Sequence, residues 1–424
     1  MTIDSILQPY QHFGVNLGLD RIQRLLYNLG NPHQKIPIIH VAGTNGKGSV
    51  CAYLSSILTA AGYQVGRYTS PHLIDWNERI CINQKPITSE ELENYLLQVV
   101  NAIDKDGESP TQFEVFTAAA WLYFADKKVD IAVIEVGLGG RLDATNVCET
   151  PLVSIITSIS REHWQVLGPT VADIAGEKAG ILKQNCPAII GQLPLEAKAV
   201  VEKRIEQLNV SAIWPKPALD LGKNSAEYHS NIPSSGVTIK YPLPLLGEIQ
   251  LMNSALAIAT CQILQQQGWK ISETAIQNGM ANTQWSGRLQ WTTWRNHKLL
   301  VDGAHNPAAA IALRQYVNTL DNLSPQKQGK SWVMGMLSTK DHADIFKALL
   351  ETGDHVYLVP VPDHSSAEPE ELAKLALSIC PKLSHCQTYP DLLTGLDASI
   401  GNNLTILCGS LYLAGYFFQQ QKQH

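Results

Sequence analysis

The chain has 424 residues, more than one hydrophobic core usually serves, which predicts two domains. Apolar residues make up 45% and charged residues 17%, a composition that excludes fibrous and disordered classes. The net charge of −6 comes without a Lys/Arg block, and no apolar run reaches the length of a membrane span. We therefore expect a globular cytoplasmic protein with no nucleic-acid or membrane partner. The eight cysteines form no CxxC pair and are expected to be reduced and buried.

The first part of the chain alternates strand-like and helix-like segments. A nearly uninterrupted apolar run over 36–41 predicts a strand, and helical spacing over 47–61 predicts a helix after a Gly-rich loop. Further segments follow in chain order: a strand near 64–68, a helix opened by a capping box at Thr88, a helix near 113–124, and strands over 129–136 and 152–157. Continuous apolar strands between helices are typical of a mostly parallel sheet.

The later part predicts a second α/β domain. Residues 215–244 predict an irregular β segment, and two helices are predicted after it near 252–267 and 273–282. A domain break is expected around 282–288. Beyond it, β and α segments resume over 289–301, 307–320, 331–336, 341–350, 355–361, 368–380 and 404–408, before a last helix. The predicted fold is α/β: a P-loop-type, mostly parallel sheet flanked by helices in residues 1–284, and a smaller Rossmann-like domain in 285–424.

A phosphate-binding loop is predicted between the first strand and its helix. In Gly43-Thr-Asn-Gly-Lys-Gly-Ser49, small residues allow backbone N–H groups to turn toward a polyphosphate, and Lys47 supplies positive charge. The pattern departs from GxxxxGK[ST], because Val41 replaces the first glycine and Gly48 separates Lys47 from Ser49. The alternative interpretation is a tight strand-to-helix turn without a ligand.

Glu135 is a candidate metal ligand. It ends an apolar strand, so it should emerge at the carboxyl edge of the sheet, where open α/β sheets bind ligands. Mg²⁺ takes a few protein oxygens beside water and phosphate oxygens. The alternative is a carboxylate that caps a loop. Ser70, His163 and Lys178 would not be selected by spacing alone.

A set of motifs in a fixed order resembles the Mur ligase superfamily, specifically its folylpolyglutamate synthase and dihydrofolate synthase branch. The motifs are Gly43–Ser49, Thr69-Ser-Pro-His-Leu73, Glu78-Arg-Ile80, Thr111-Gln-Phe-Glu114, Glu135-Val-Gly-Leu-Gly-Gly-Arg-Leu-Asp-Ala-Thr-Asn146, Glu177-Lys-Ala-Gly-Ile181, Asp302-Gly-Ala-His-Asn-Pro307 and Cys408-Gly-Ser-Leu411. The resemblance covers almost the whole chain.

The resemblance implies an ATP and metal site. It places two Mg²⁺ ions near Ser70, Glu135 and His163, and a carbamylated Lys178 that helps to hold the second ion. Lys178 is expected early in, or just before, a short helix. The nucleotide-binding residues that it implies are Thr44, Asn45, Gly46, Lys47, Gly48, Ser49, Asn253, Arg288 and Asp302, with His305 close by as a catalytic residue beside Lys47 and Lys178. Two positions depart from the family pattern: Glu162 stands where Asp is usual, and Ser286 where Pro is usual.

The resemblance also implies a folate-type acceptor site. Its members hold the pterin and benzoyl groups with segments that match Leu17-Gly-Leu-Asp-Arg21, Thr111-Gln-Phe113 and Leu142-Asp-Ala144, and His72 could cover the same pocket. The candidate residues in these segments are Leu17, Gly18, Leu19, His72, Thr111, Gln112, Phe113, Leu142, Asp143 and Ala144. By spacing alone, Phe113 is more often a core aromatic.

The implied reaction joins L-glutamate to dihydropteroate, to reduced folate, or to both, through an acyl phosphate made from ATP. The motifs favour a bifunctional enzyme, and the family suggests a monomer. The alternatives are another Mur-type ligase acting on a cell-wall precursor, and a P-loop ATPase or switch without ligase activity. The sequence leaves open the glutamate chain length and the need for a monovalent cation.

Overall fold

The computed structural model describes residues 2–13, 16–104, 106–232, 237–321 and 329–422. The chain divides into two units, one of Met1–Pro244 with Gln250–Gln284, and one of Leu245–Ile249 with Trp285–His424. Residues 245–249 thus group with the second unit rather than the first, because Leu246 packs against the second unit's core.

An eight-stranded sheet forms the centre of the first unit. Its strands are β1 (Ile38–Ala42), β2 (Val65–Tyr68), β3 (Ile80–Ile82), β4 (Lys85–Pro86), β5 (Ile131–Glu135), β6 (Val153–Ile156), β7 (Ala188–Ile190) and β8 (Ala212–Ile213). Their order is β4-β3-β2-β5-β1-β6-β7-β8. The six strands from β2 to β8 in that order run parallel to one another. Strand β3 is antiparallel to both of its neighbours, β2 and β4. The predicted mostly parallel sheet is confirmed.

Helices flank this sheet. They are α1 (Ile3–Leu7), α2 (Asp20–Asn28), α3 (Lys47–Ala60), α4 (Ser89–Asn101), α5 (Gln112–Asp126), α6 (Trp164–Leu167), α7 (Val171–Ala179), α8 (Leu195–Leu208), α9 (Ile249–Gln266) and α10 (Glu273–Ala281). Short 3-10 helices cover Gln8–Phe13, Pro32–Lys35 and Trp76–Arg79. The capping box predicted at Thr88 is present, so α4 begins where the sequence places it.

Helix α3 is packed unusually close to α10. The side chain of Ser56 donates to the carbonyl oxygen of Gly279 at 2.7 Å. A Cβ atom placed on Gly279 would lie 2.3 Å from the Cα atom of Ile57, so only glycine permits this approach. The second half of the helix that begins at the phosphate loop is therefore held against another helix.

The irregular β segment predicted over 215–244 contains a small antiparallel sheet of three strands. They are β9 (Leu219–Gly222), β10 (Ser225–His229) and β11 (Thr238–Pro242), in the order β11-β10-β9. Tyr228 and Tyr241 are buried, whereas all four residues of β9 are exposed.

The second unit is a six-stranded sheet with helices. Its elements are β12 (Gln290–Trp294), β13 (His297–Val301), α11 (Pro307–Asp321), β14 (Ser331–Met334), α12 (His342–Leu349), β15 (His355–Leu358), α13 (Pro369–Ile379), β16 (His385–Thr388), α14 (Leu392–Ser399), β17 (Thr405–Cys408) and α15 (Leu411–Gln421). The order is β12-β13-β17-β14-β15-β16, parallel except for β12. The predicted α/β class is confirmed here too, although residues 289–301 form a hairpin of two strands.

All eight cysteines are free thiols, but three of them, Cys148, Cys380 and Cys386, are only half-buried, against the expectation of full burial. No helix in the described part of the chain combines the length and apolarity needed to cross a membrane.

Candidate functional site

The loop between β1 and α3 is held by polar residues that follow β6. The backbone N of Thr44 donates to the carbonyl of Ser158 at 2.8 Å, and that of Asn45 donates to the Ser158 hydroxyl at 3.0 Å. In return, the hydroxyl of Thr157 donates to the carbonyl of Asn45 at 2.7 Å, and the backbone N of Ser160 donates to the Thr44 hydroxyl at 3.0 Å. Because β1 and β6 are neighbours, their carboxyl ends anchor one another.

Two glycines of this loop are required by their surroundings. Gly43 has φ +151°, and a Cβ atom there would lie 1.9 Å from the Thr157 hydroxyl oxygen. Gly46 has φ +89°, and its Cβ would lie 2.4 Å from Oδ1 of Asn253. The buried Asn253 thus reaches the loop from α9, and it donates to Gln250 at 3.1 Å.

The two predicted lysines meet at one carbonyl oxygen. Nζ of Lys47 donates to the carbonyls of Gly43 and Thr44, both at 3.1 Å, and Nζ of Lys178 donates to the Gly43 carbonyl at 2.7 Å. Lys178 is buried. Burial, together with the positive charge of Lys47, lowers the pKa of Lys178 to about 7. At neutral pH, a large fraction of Lys178 is therefore an uncharged amine, which is the nucleophilic form.

Lys178 lies near the end of α7 and not at its beginning, so the predicted location was wrong. Helix α7 starts with a capping box at Thr170, and its last turn contains Lys178. The preceding Glu177 accepts two bonds from Arg141 at 2.7 and 3.1 Å, and the backbone N of Arg141 donates to the Glu177 carbonyl at 2.8 Å. These contacts fix the end of α7 against the loop after β5.

The remaining loop residues start α3. The loop residues Asn45, Gly46, Lys47 and Gly48 are half-buried, and the buried Ser49 accepts from the side chain of Gln250 at 3.4 Å. Gly46 is the N-cap residue of α3, and no side chain there forms a capping hydrogen bond. The amide groups of a helix's first turn have no intrahelical acceptor, so this end of α3 suits an anion.

Glu135 and Ser70 are in contact at the edge of the sheet. Glu135 is the buried last residue of β5, and its Oε2 accepts from the backbone N of Ser70 at 3.2 Å. Strands β2, β5, β1 and β6 are adjacent and parallel, so Ser70, Glu135, Gly43 and His163 all follow carboxyl ends of the same sheet. His163 is exposed and is the N-cap residue directly before α6, with φ +51°.

These residues fit a magnesium ion better than a metal bound wholly by protein. In the described ranges, no group of three or more His, Cys, Asp or Glu side chains is arranged to hold a metal. Magnesium retains water and phosphate oxygens and needs only one or two carboxylates. Glu135, with the Ser70 hydroxyl nearby, supplies hard oxygen ligands of that kind.

The loop that contains His72 is organised by one carboxylate. Glu78 accepts from the backbone N atoms of Leu73, Ile74 and Asp75 at 2.8 to 3.0 Å. Nε of Arg79 donates to Nδ1 of His72 at 2.9 Å. The Glu78-Arg79 pair of the sequence therefore shapes this loop.

The predicted acceptor segments adjoin one another. The backbone N of Gly18 donates to the carbonyl of Leu142 at 3.4 Å. The half-buried Phe113 packs so closely on the loop after β5 that a Cβ atom on Gly137 would lie 2.4 Å from its ring. Thr111 caps α5. Leu17, Leu19, Gln112 and Leu142 are half-buried, and Ala144 is buried.

Asp143 organises its own loop. Its carboxylate accepts from the backbone N of Leu138 at 2.8 Å, and from the backbone N and hydroxyl of Thr145 at 3.0 and 2.6 Å. Burial raises its pKa, and these bonds oppose the shift. Since the single hydroxyl proton of Thr145 goes to Asp143, Nε2 of the buried His40 donates to Thr145 at 2.8 Å. Burial lowers the pKa of His40 to about 3.

The second unit presents its own polar cluster. The Asp302 carboxylate accepts from the backbone N atoms of Leu289 and Ala304, both at 2.8 Å. Burial raises the pKa of Asp302, and the positive charge of Arg288 opposes that shift. His305 is half-buried, and its Nδ1 lies 2.7 Å from the carbonyl of Gly303, so that Nδ1 carries the proton.

Several residues of the site were not found from the sequence. Thr157, Ser158 and Ser160 anchor the phosphate loop, and the signal was a polar run directly after an apolar strand. His40 was missed, because a histidine within a strand has no local pattern of its own. Arg21 was noted only as the last residue of the segment Leu17–Arg21, and no contact of its side chain was predicted.

Comparisons with known proteins identify families and relatives that this chain resembles. The Mur ligase middle domain matches residues 41–261, and the C-terminal domain of dihydrofolate synthetase matches 286–420. The chain is 37% identical over 422 residues to a probable dihydrofolate synthetase of Schizosaccharomyces pombe, covering 96% of this chain and 99% of that protein. It is 36% identical over 423 residues to the dihydrofolate synthase/folylpolyglutamate synthase of Bacillus subtilis, covering 94% of each. The structure of Escherichia coli FolC in complex with DHPP and ADP aligns with a TM-score of 0.83 at 29% identity, covering 99% of this chain and 96% of that one.

Proposed function

Because the chain belongs to the Mur ligase family, in its branch of dihydrofolate and folylpolyglutamate synthases, we propose that it joins L-glutamate to dihydropteroate and to reduced folates. It is an ATP-dependent ligase of that family. The observation that carries the proposal is the contact of Lys178 with the phosphate loop at Gly43, since it brings a buried amine to the place where a triphosphate would lie. The proposed enzyme serves both acceptors.

The reaction proceeds by activation of a carboxylate. The acceptor's carboxylate attacks the γ-phosphoryl group of ATP and releases ADP, which gives an acyl phosphate. The amine of L-glutamate then attacks the acyl carbon, phosphate leaves, and the amine loses a proton as the amide forms. A carboxylate anion is a poor electrophile, so the phosphoryl group supplies the leaving group.

This chain's residues act mainly by alignment and by charge. Lys47 leaves the loop carbonyls to meet the β- and γ-phosphates, and the first-turn amides of α3 bind phosphate oxygens. Glu135, Ser70 and His163 would hold Mg²⁺, which neutralises the charge that develops on the transferred group. In the second unit, Arg288, Asp302 and His305 are the residues we assign to the nucleotide.

Lys178 has a role that requires its uncharged form. An ammonium group beside Mg²⁺ would be repelled, whereas the neutral amine can add to CO₂ and release a proton, which gives a negatively charged carbamate. The pKa of about 7 makes the neutral amine available at physiological pH. We propose that carbamylated Lys178 helps to hold the second ion.

The test measures ATP turnover with dihydropteroate and with tetrahydrofolate, each with and without L-glutamate, and identifies products by mass spectrometry. Glutamate-dependent turnover with both acceptors, and products one glutamate heavier, are expected. Lys47→Ala should lower turnover by about a hundredfold or more, since phosphate positioning supplies most of the rate. The exposed Lys203 of α8 is the matched control, and Lys203→Ala should act as wild type. Turnover independent of glutamate would refute the ligase assignment.

A further inference from the structure

A buried ion pair lies beside the proposed acceptor segments. Nε of Arg21 donates to Oε2 of Glu114 at 3.1 Å, and the two side chains are only 7% and 3% exposed. Buried charges are retained only where they are paired and hydrogen-bonded. The pair links α2 to α5.

Glu114 fixes the beginning of α5. The same Oε2 atom that meets Arg21 also accepts from the backbone N of Thr111 at 2.6 Å. The backbone N of Glu114 donates in turn to the Thr111 hydroxyl at 3.2 Å, which completes a capping box. The direction in which Thr111, Gln112 and Phe113 leave the loop is therefore set by the position of the Glu114 carboxylate.

Arg21 fixes the segment that precedes α2. Its Nη2 atom donates to the carbonyl of Asn16 at 2.6 Å, and its Nη1 atom donates to the Glu108 carboxylate at 3.1 Å. The planar guanidinium thus meets three acceptors at once, which the single ammonium group of a lysine does not reproduce. Both Nη atoms lie 3.8 Å from the position of a Cβ atom on Gly18.

Through Gly18, the ion pair reaches a third segment. The backbone N of Gly18 donates to the carbonyl of Leu142, in the loop after β5. Arg21 thus bonds to Asn16, directly before segment 17–19, and through Glu114 to Thr111 of segment 111–113, while Gly18 joins segment 17–19 to Leu142 of segment 142–144.

We propose that Arg21 and Glu114 are positioning residues of the acceptor site, which hold these three segments in the arrangement that binds the pterin-like end of the acceptor. This inference rests on the proposed function. It predicts a specific kinetic effect: loss of the pair weakens acceptor binding and leaves nucleotide binding at the Gly43–Ser49 loop intact.

The first variant is Arg21→Lys, which keeps the positive charge but loses the planar guanidinium that meets three acceptors at once. We expect the KM for dihydropteroate to rise about tenfold, with the KM for ATP and the kcat at saturating acceptor within about twofold of wild type. The second variant, Arg21→Met with Glu114→Gln, removes both charges together and so leaves no unpaired buried charge. The amide oxygen at position 114 still accepts from Thr111, while Asn16 loses its donor. In this variant too, the KM for dihydropteroate should rise while the KM for ATP stays close to that of wild type.

The chain offers a matched control in its second unit. Arg314 pairs with Asp354 at 2.7 Å, and these side chains are 9% and 2% exposed. Arg314→Lys makes the same chemical change in an equally buried pair that serves no acceptor segment. It should lower the midpoint of thermal unfolding without raising the KM for dihydropteroate.

The outcomes are separable. A raised acceptor KM in both Arg21 variants, and not in Arg314→Lys, supports the proposal. If wild type turns over both acceptors and Arg21→Lys has an unaltered acceptor KM, the proposal is wrong and the function stands. Equal effects on the KM for ATP and for acceptor would also overturn it, because they indicate a general loss of structure. Absence of glutamate-dependent turnover in wild type would refute the function and the inference together.

Discussion

Replacing Lys178 with Met should stabilise the protein at neutral pH while it abolishes ligase activity. Burial and the charge of Lys47 lower the pKa of Lys178 from its ordinary value of 10.5 to about 7. That difference corresponds to about 5 kcal/mol of unfavourable free energy in the folded state at low pH. Met is uncharged and of similar length, so the variant does not carry this cost.

The net gain is smaller than 5 kcal/mol. Met cannot donate to the carbonyl of Gly43, and a hydrogen bond of this kind contributes about 1 to 1.5 kcal/mol. The carbonyl still accepts from Lys47, so it is not left unsatisfied. We expect the variant to be more stable than wild type by about 3 kcal/mol at neutral pH.

The pH dependence gives the sign of the effect. The folded-state pKa lies below the unfolded-state value, so the folded state binds fewer protons between about pH 7 and 10.5. The stability of wild type should therefore rise with pH across that window, and the penalty is fully present below about pH 7. The advantage of the Met variant should shrink toward pH 10.

Urea unfolding of both proteins at about pH 7 and about pH 10 measures this difference. The buffers must be depleted of CO₂, because carbamylation would itself remove the positive charge. Lys203→Met, on the exposed surface of α8, is the control and should change stability by less than about 0.5 kcal/mol at either pH. A Lys178→Met protein that is less stable than wild type at neutral pH, or whose stability difference does not vary with pH, would refute the reasoning.

Three further predictions concern the same unit. Gly46→Ala forces a side chain into φ +89° and against Asn253, so the affinity for a non-hydrolysable ATP analogue, measured by calorimetry, should fall about tenfold or more; unaltered affinity would contradict the role of the loop. Glu135→Gln keeps an acceptor for Ser70 but loses the charge, so a Mg²⁺ titration of ATP turnover should show a higher magnesium requirement; an identical titration would remove Glu135 from the metal site. The pKa of His40 is lowered from 6.5 to about 3, so the unfolded state binds more protons in that window, and stability should fall by up to about 1.4 kcal/mol per pH unit as pH drops through it. His40→Gln should flatten that slope in acid denaturation, and an unchanged slope would assign the acid sensitivity to other groups.

Much of the fold follows from the sequence, because its strongest signals are long and local. The apolar runs that became β1 and β5 are buried at every position, and the capping box at Thr88 marks the start of α4 to the residue. The sequence did not predict β12 and β13 as two separate strands of a hairpin. Arg295 and Asn296 turn the chain there with positive φ, and neither is the glycine that usually signals such a turn. Strand β16 was missed because an edge strand that is mostly half-buried lacks clear hydrophobic alternation.

The site was predicted in parts. The loop at Gly43–Ser49 and the carboxylate of Glu135 have local patterns that indicate phosphate and metal chemistry. The position of Lys178 within α7 was wrong, because the helix signal upstream, a capping box at Thr170, is weak in a short segment. The ion pair of Arg21 and Glu114 joins residues far apart in sequence, so only the three-dimensional structure brings it out.

The close approach of α3 and α10 at Gly279 has a consequence for how the enzyme responds to nucleotide. A helix gripped at its backbone does not slide along its own axis without a steric clash. Because α10 is held against α3 at this point, we expect any change in the Gly43–Ser49 loop that shifts α3 to shift α10 with it, so that the two helices respond to nucleotide as one body.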